Sequence, residues 1–221
     1  MEPGLLGPSL FALWWVVWVL VWIVGVFPRR RSRALGVLLA YELSLVPLLL
    51  GVVALALAWP TTLPNAWPEW PWWVIPVVAV PTGGVAWAAL TAASGLRELQ
   101  PGGLTRRLLV GVGSDAWSAV GEEVAFRLLL LGGLAIAWDS VWVAWFVTSI
   151  LFGLHHLPVG GMRVALIHTG SGAVFGLLLA LGGGLAAPLL AHVTYNVLTA
   201  IVRETGMRRA ESNLHRFGLR R

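Results

Sequence analysis

Long apolar runs, separated by short turns and by arginines, follow one another along the whole chain. Each is close to the roughly 20 residues a helix needs to cross the hydrocarbon core of a bilayer. That feature limits the fold more than any motif does. In lipid every backbone N–H and C=O must be satisfied within the protein, which leaves helices or closed barrels, and runs of this length are helical. Charged residues make up 11% of the chain and hydrophobic ones 58%; soluble domains carry about 25% charged residues. The mean hydropathy is +0.82. The expected fold is therefore all-α, a polytopic transmembrane helical bundle.

Seven stretches qualify as spans, at about 9–27, 34–58, 73–95, 115–137, 141–157, 163–181 and 185–203. The arginines test this count. Arg29, Arg30, Arg31 and Arg33 lie between spans one and two; Arg97, Arg106 and Arg107 between three and four; Arg163 between five and six; Arg203, Arg208, Arg209, Arg216, Arg220 and Arg221 after span seven. With seven spans all of them fall on one face, and six or eight would scatter them over both. By the positive-inside rule that face is cytoplasmic, so the N-terminus is expected outside and the C-terminus inside. The expected location is the cell (inner) membrane. The first apolar segment lacks a basic stretch before it, so it is expected to stay as the first span rather than act as a cleaved signal. Trp and Pro crowd the connection at 59–73, and Trp138 and Trp142 flank the next external turn, as an aromatic belt at the headgroup level would.

Composition also excludes classes of chemistry. There is no cysteine, so thiolate nucleophiles, disulfides and Cys-type zinc sites are ruled out. The net charge is +5 and all 15 basic residues are Arg, but topology accounts for them and no nucleic-acid motif accompanies them. The segment Gly111–Asp115 lacks the Lys of a phosphate-binding loop. The expected partners are the lipid bilayer and a peptide or membrane-protein substrate, with no nucleic acid. No cofactor and no metal are expected.

Ionisable side chains inside spans cost about 2.5–3.5 kcal/mol each on insertion scales, so each is a functional candidate. They are Glu42, Glu122, Glu123, Arg127, His156, His168 and His192, with the amide Asn196 beside them. Glu123 and Arg127 are four residues apart on one helical face and can pair. Glu122 points about 100° away and is able to face another helix as a general base. Ser114 is a plausible N-cap for that span, with Asp115 near its positive end. Phe152 and His156 share a face of span five; His155 is rotated from it. His192 and Asn196 share a face of span seven, and two donors aimed at one oxygen are the ingredients of an oxyanion hole. The topology brings all three segments to the cytoplasmic leaflet. His168 reads as a packing residue, and Glu42 has no partner that can be named.

Three motifs in order, EExxxR at Glu122, Glu123 and Arg127, FxxxH at Phe152 and His156, and HxxxN at His192 and Asn196, resemble those of the CAAX-protease and bacteriocin-processing (CPBP, or Abi) family. The resemblance covers about residues 105–203. It implies a bundle of membrane helices around a cavity open to the cytoplasm and an intramembrane endopeptidase that acts through glutamate-activated water. Carried over residue by residue, it implies Glu122 as general base, His156 orienting the water, His192 and Asn196 stabilising the oxyanion, and Glu123 and Arg127 in support. His155 departs from the pattern by placing a second imidazole beside the motif histidine. The domain organisation expected is three N-terminal membrane helices over 1–104, a catalytic core over 105–203 and a basic cytoplasmic tail over 204–221. Two other readings remain open: a zinc-dependent protease, although HExxH is absent and Arg127 would repel the cation, and a membrane immunity or scaffold protein without catalysis. A transporter is opposed by the clustering of the polar residues near one face.

Overall fold

The computed structural model describes residues 3–26, 43–54, 68–93 and 106–216. Glu42, Arg29, Arg30, Arg31, Arg33, Arg97 and most of the Trp- and Pro-rich connection lie outside these residues. Every element described is helical. The helices are α1 (Pro3–Val26), α2 (Leu43–Ala54), α3 (Val74–Ala93), α4 (Arg106–Glu123), α5 (Gly132–Ala137), α6 (Val141–Leu178) and α7 (Ala186–Arg216). A π-helical segment, Val124–Leu131, joins α4 to α5, and a second, Leu179–Gly183, follows α6.

Helices Val74–Ala92, Val141–Pro158 and Gly161–Gly183 are long and apolar enough to cross a membrane. Their outer faces carry apolar side chains that water would not tolerate in such density: Val77, Val85, Phe146 and Leu166 are all at least 60% exposed. Large contiguous apolar surface marks contact with lipid or protein. The chain is a membrane protein.

α6 is two arms folded back on each other. Gly161 sits at φ +69°, a left-handed conformation that breaks the helix and that glycine adopts without steric cost. The indole of Trp145 on the first arm donates to the carbonyl of Ala173 on the second at 2.8 Å, which fixes the arms as an antiparallel hairpin. Tryptophans gather at the other end of the bundle: Trp72, Trp73, Trp138 and Trp142 are exposed there. Trp70 clips the turn after α6 by donating to Leu181 O at 2.7 Å.

α7 packs closely on α3. A side chain at Gly83 of α3 would collide with the carbonyl of Ala191, so glycine lets the two backbones approach where His192 follows. One apolar core joins α1, α2, the Val124–Leu131 segment and Phe152 of α6. A second joins α3, α7 and Phe175. The polar residues lie between the two cores.

Helix α4 differs from the sequence reading at its start. Ser114 does not cap it. The helix begins at Arg106, and Ser114 and Asp115 lie well inside it. The stretch from Arg106 to Val112 is rich in Arg, Leu and Val, which do not stop a helix, so the turn propensity of Ser and Asp is overridden.

Candidate functional site

The site forms where α4 passes into the wider π-helical turn. Glu122 and Glu123 close the α-helical part, and Arg127 lies within Val124–Leu131, all eight residues of which are buried. Such π segments re-aim side chains locally and recur at functional sites. Here the segment places an acid pair and a base between the two apolar cores.

Glu123 and Arg127 are completely buried. Arg127 Nε lies 3.2 Å from Glu123 Oε2, but without the alignment of a hydrogen bond, so charge attraction rather than a directed bond holds the pair. The guanidinium lies over the Phe152 ring, 4.7 Å from its centroid, a cation–π contact in a desolvated place. The other oxygen of Glu123 meets His192: Nδ1 and Oε1 are 2.8 Å apart. An ionised carboxylate can only accept there, so Nδ1 of His192 carries a proton and donates it. Phe175 stacks on that ring at 4.9 Å and Phe152 meets it edge-on at 5.9 Å, which holds its plane.

Glu122 faces the remaining nitrogens. Its Oε2 lies 3.8 Å from His156 Nε2 and 3.9 Å from His192 Nε2. His156 Nδ1 is 2.9 Å from the carbonyl of Phe152. A carbonyl only accepts, so Nδ1 carries a proton, and in the neutral form of the ring Nε2 presents a lone pair toward Glu122. The side chains of Glu122 and His156 are 10% and 15% exposed, while those of Glu123 and Arg127 are at 0%. A small molecule can reach the first pair and not the second.

Asn196 sits one helical turn beyond His192. Its Nδ2 donates to the main-chain carbonyl of Asp115 at 2.9 Å. The amide is thereby anchored to α4, with its second N–H left to point elsewhere.

Two histidines outside the motifs belong to the same cluster. His168, on the second arm of α6, stacks on His156 at 3.7 Å with the rings 5° from parallel. His155 is 3% exposed, lies edge-on to His156 at 5.2 Å, and accepts a hydrogen bond at Nδ1 from the indole of Trp15 at 3.2 Å. Sequence reasoning placed His155 aside. Its only signal was adjacency to His156, and the partner that explains it is 140 residues away.

Among the described residues no group of three or more His, Asp or Glu side chains has the geometry to hold a metal ion. The imidazoles of His156 and His168 face each other plane to plane, and His192 Nδ1 is engaged by Glu123.

Paired acids, four imidazoles and an amide, gathered between apolar cores of a membrane bundle, define a membrane-embedded site of the hydrolytic type. Residues 103–198 match the family model described as type II CAAX prenyl endopeptidase Rce1-like. Over this segment, under half of its length, the chain is similar to that family of CAAX-type intramembrane endopeptidases, hydrolases of peptide bonds. None of the curated proteins and none of the solved structures compared with the chain matches it.

Proposed function

We propose that the chain cuts a peptide or membrane-protein substrate near the cytoplasmic membrane face with a water activated by Glu122. The single observation that carries this reading is the convergence of Glu122 Oε2 with the Nε2 atoms of His156 and His192 at 3.8 and 3.9 Å. An ionised carboxylate and an imidazole lone pair do not bond to each other. A water that donates one hydrogen to each satisfies both and turns its own lone pair outward, toward a substrate carbonyl.

The reaction then runs as follows. The water oxygen attacks the carbonyl carbon, and its proton passes to Glu122, with His156 holding the second hydrogen. The carbonyl oxygen becomes an oxyanion. His192 Nε2 and the second N–H of Asn196 are its donors. Since Nδ1 of His192 already donates to Glu123, donation from Nε2 needs both ring protons. Glu123 is the counter-charge for that imidazolium, and Arg127 offsets the charge of Glu123. Two carboxylates, one guanidinium and one imidazolium leave the buried group neutral, as a low-dielectric site requires. Collapse of the intermediate breaks the C–N bond, and the departing amine takes the proton from Glu122.

We read the bundle as seven crossings with the N-terminus outside and the C-terminus cytoplasmic, in the cell membrane. The exposed Arg163 near the Gly161 hairpin supports this, as does the gathering of tryptophans at the opposite end. His156 lies five residues before Gly161, about 8 Å along the helix axis, so the site opens toward the arginine face.

Quantitative peptidomics of membranes tests the function. Membranes carrying the native chain and the Glu122→Gln chain are compared at equal protein levels. The reading expects a defined set of new peptide termini that disappears with Glu122→Gln. Identical termini from both chains contradict it.

A further inference from the structure

We infer that α1, which lies outside the segment that matches the family, is a working wall of the site, with His155 as a positioning residue that Trp15 locks into one neutral tautomer to brace His156. This rests on the reading of His156 as the partner of Glu122.

The lock follows from hydrogen-bond polarity. An indole N–H can donate and never accept. Trp15 Nε1 lies 3.2 Å from His155 Nδ1, so Nδ1 is the acceptor and the ring proton sits on Nε2. Protonating Nδ1 would break this bond and leave a half-buried indole N–H without this acceptor, a costly state in an apolar setting.

The cage around the ring is aromatic. Trp14 stacks on His155 at 5.7 Å, and Phe126 meets it edge-on at 5.3 Å. Trp14 is tied in turn to Ser44 of α2 at 3.3 Å, and Phe11 of α1 packs on Phe126 at 4.9 Å. Phe126 precedes Arg127 directly. The same cluster therefore touches the π segment that carries Arg127 and the arm that carries His156.

The ionisable groups facing His155 come from its own helix and from the π segment. His156 lies edge-on at 5.2 Å, His168 stacks behind His156, and Arg127 adjoins Phe126. Helix α1 contributes apolar and aromatic side chains and no charge. A neutral ring on this side leaves His156 as the imidazole that holds the second hydrogen of the Glu122 water. A free second imidazole at 5.2 Å would compete for it. His156 is then boxed: His168 covers one face, His155 braces it, and the Phe152 carbonyl holds Nδ1.

Histidine-labelled ¹⁵N spectra of the full chain in detergent test this, since only five histidines are present. The native protein is expected to show His155 neutral with its proton on Nε2. Trp15→Phe keeps an aromatic ring on α1 and removes the donor. It is expected to give a mixed tautomer at His155, a perturbed His156 resonance, and an initial rate of product-terminus formation lower by about tenfold, the scale of one hydrogen bond. Adding His155→Phe to Trp15→Phe removes the orphaned acceptor and restores a single His156 signal. A His155 proton found on Nδ1 in the native protein overturns the inference, as does a Trp15→Phe chain with an unaltered His156 signal and native rate. Persistent cleavage by Glu122→Gln would sink the water mechanism instead, and the spectra distinguish that failure from this one.

Discussion

Two imidazoles one residue apart on α6 meet opposite surroundings. His155 is 3% exposed and faces α1, with indoles on two sides. His156 is 15% exposed at its side chain and faces a carboxylate 3.8 Å away. Adjacent residues on a helix point about 100° apart, so one turn serves two layers: an apolar wall that fixes geometry and a polar pocket that reacts. The difference teaches that burial alone does not mark the reacting residue. The more buried ring has its nitrogen satisfied by an indole, and the less buried one leaves a lone pair toward an acid.

The sharpest way to break this contrast is to delete the reacting ring. His156→Ala is expected to lower the cleavage rate by about 10²-fold, the cost of misplacing the water that Glu122 activates, read from initial rates of product termini. An effect no larger than that of Trp15→Phe would erase the distinction between wall and pocket.

The buried charges test the polar layer. Arg127→Leu leaves Glu123 at 0% exposure with its arginine partner gone. It is expected to destabilise the fold by about 3–5 kcal/mol, as for other broken buried pairs, measured by thermal unfolding in detergent. Next comes Asn196→Ala, which removes one proposed oxyanion donor. The expected loss is about 10²–10³-fold in kcat with KM little changed, the effect of one such donor elsewhere; steady-state kinetics on a cleaved peptide identified by the peptidomics reads it. The smallest effect concerns the hairpin of α6. A side chain at Gly153 would run into Thr169 of the facing arm. Gly153→Ala is expected to cost about 1–3 kcal/mol in unfolding free energy, as for other overpacked contacts, and to loosen the stack of His156 on His168.

The helical, membrane-spanning character was legible because long apolar runs are patterns that local chemistry does not blur. The i,i+4 spacing of Glu123 and Arg127 predicted their pairing, and the ion pair stands at 3.2 Å. The start of α4 was misread because Ser114 and Asp115 look like a cap, whereas the helix extends back to Arg106. The π-helical turn left no mark in the residue types of Val124–Leu131. Nor could spacing show that Asn196 anchors to the Asp115 carbonyl or that Glu123 holds His192, since both depend on how α4 and α7 pack. His155 stood out in the sequence only as a second imidazole beside the motif histidine: its indole partner lies on α1, far along the chain, and no motif spans that distance.

A high-resolution experimental structure of the chain, with ordered solvent resolved between α4, α6 and α7, tests the central claim most directly. The account predicts one water within hydrogen-bonding distance of both Glu122 Oε2 and His156 Nε2, with His192 turned to the same point. A metal ion there, bound at about 2.0–2.2 Å by His and Glu, would contradict it, as would a Glu122 side chain turned away from both rings.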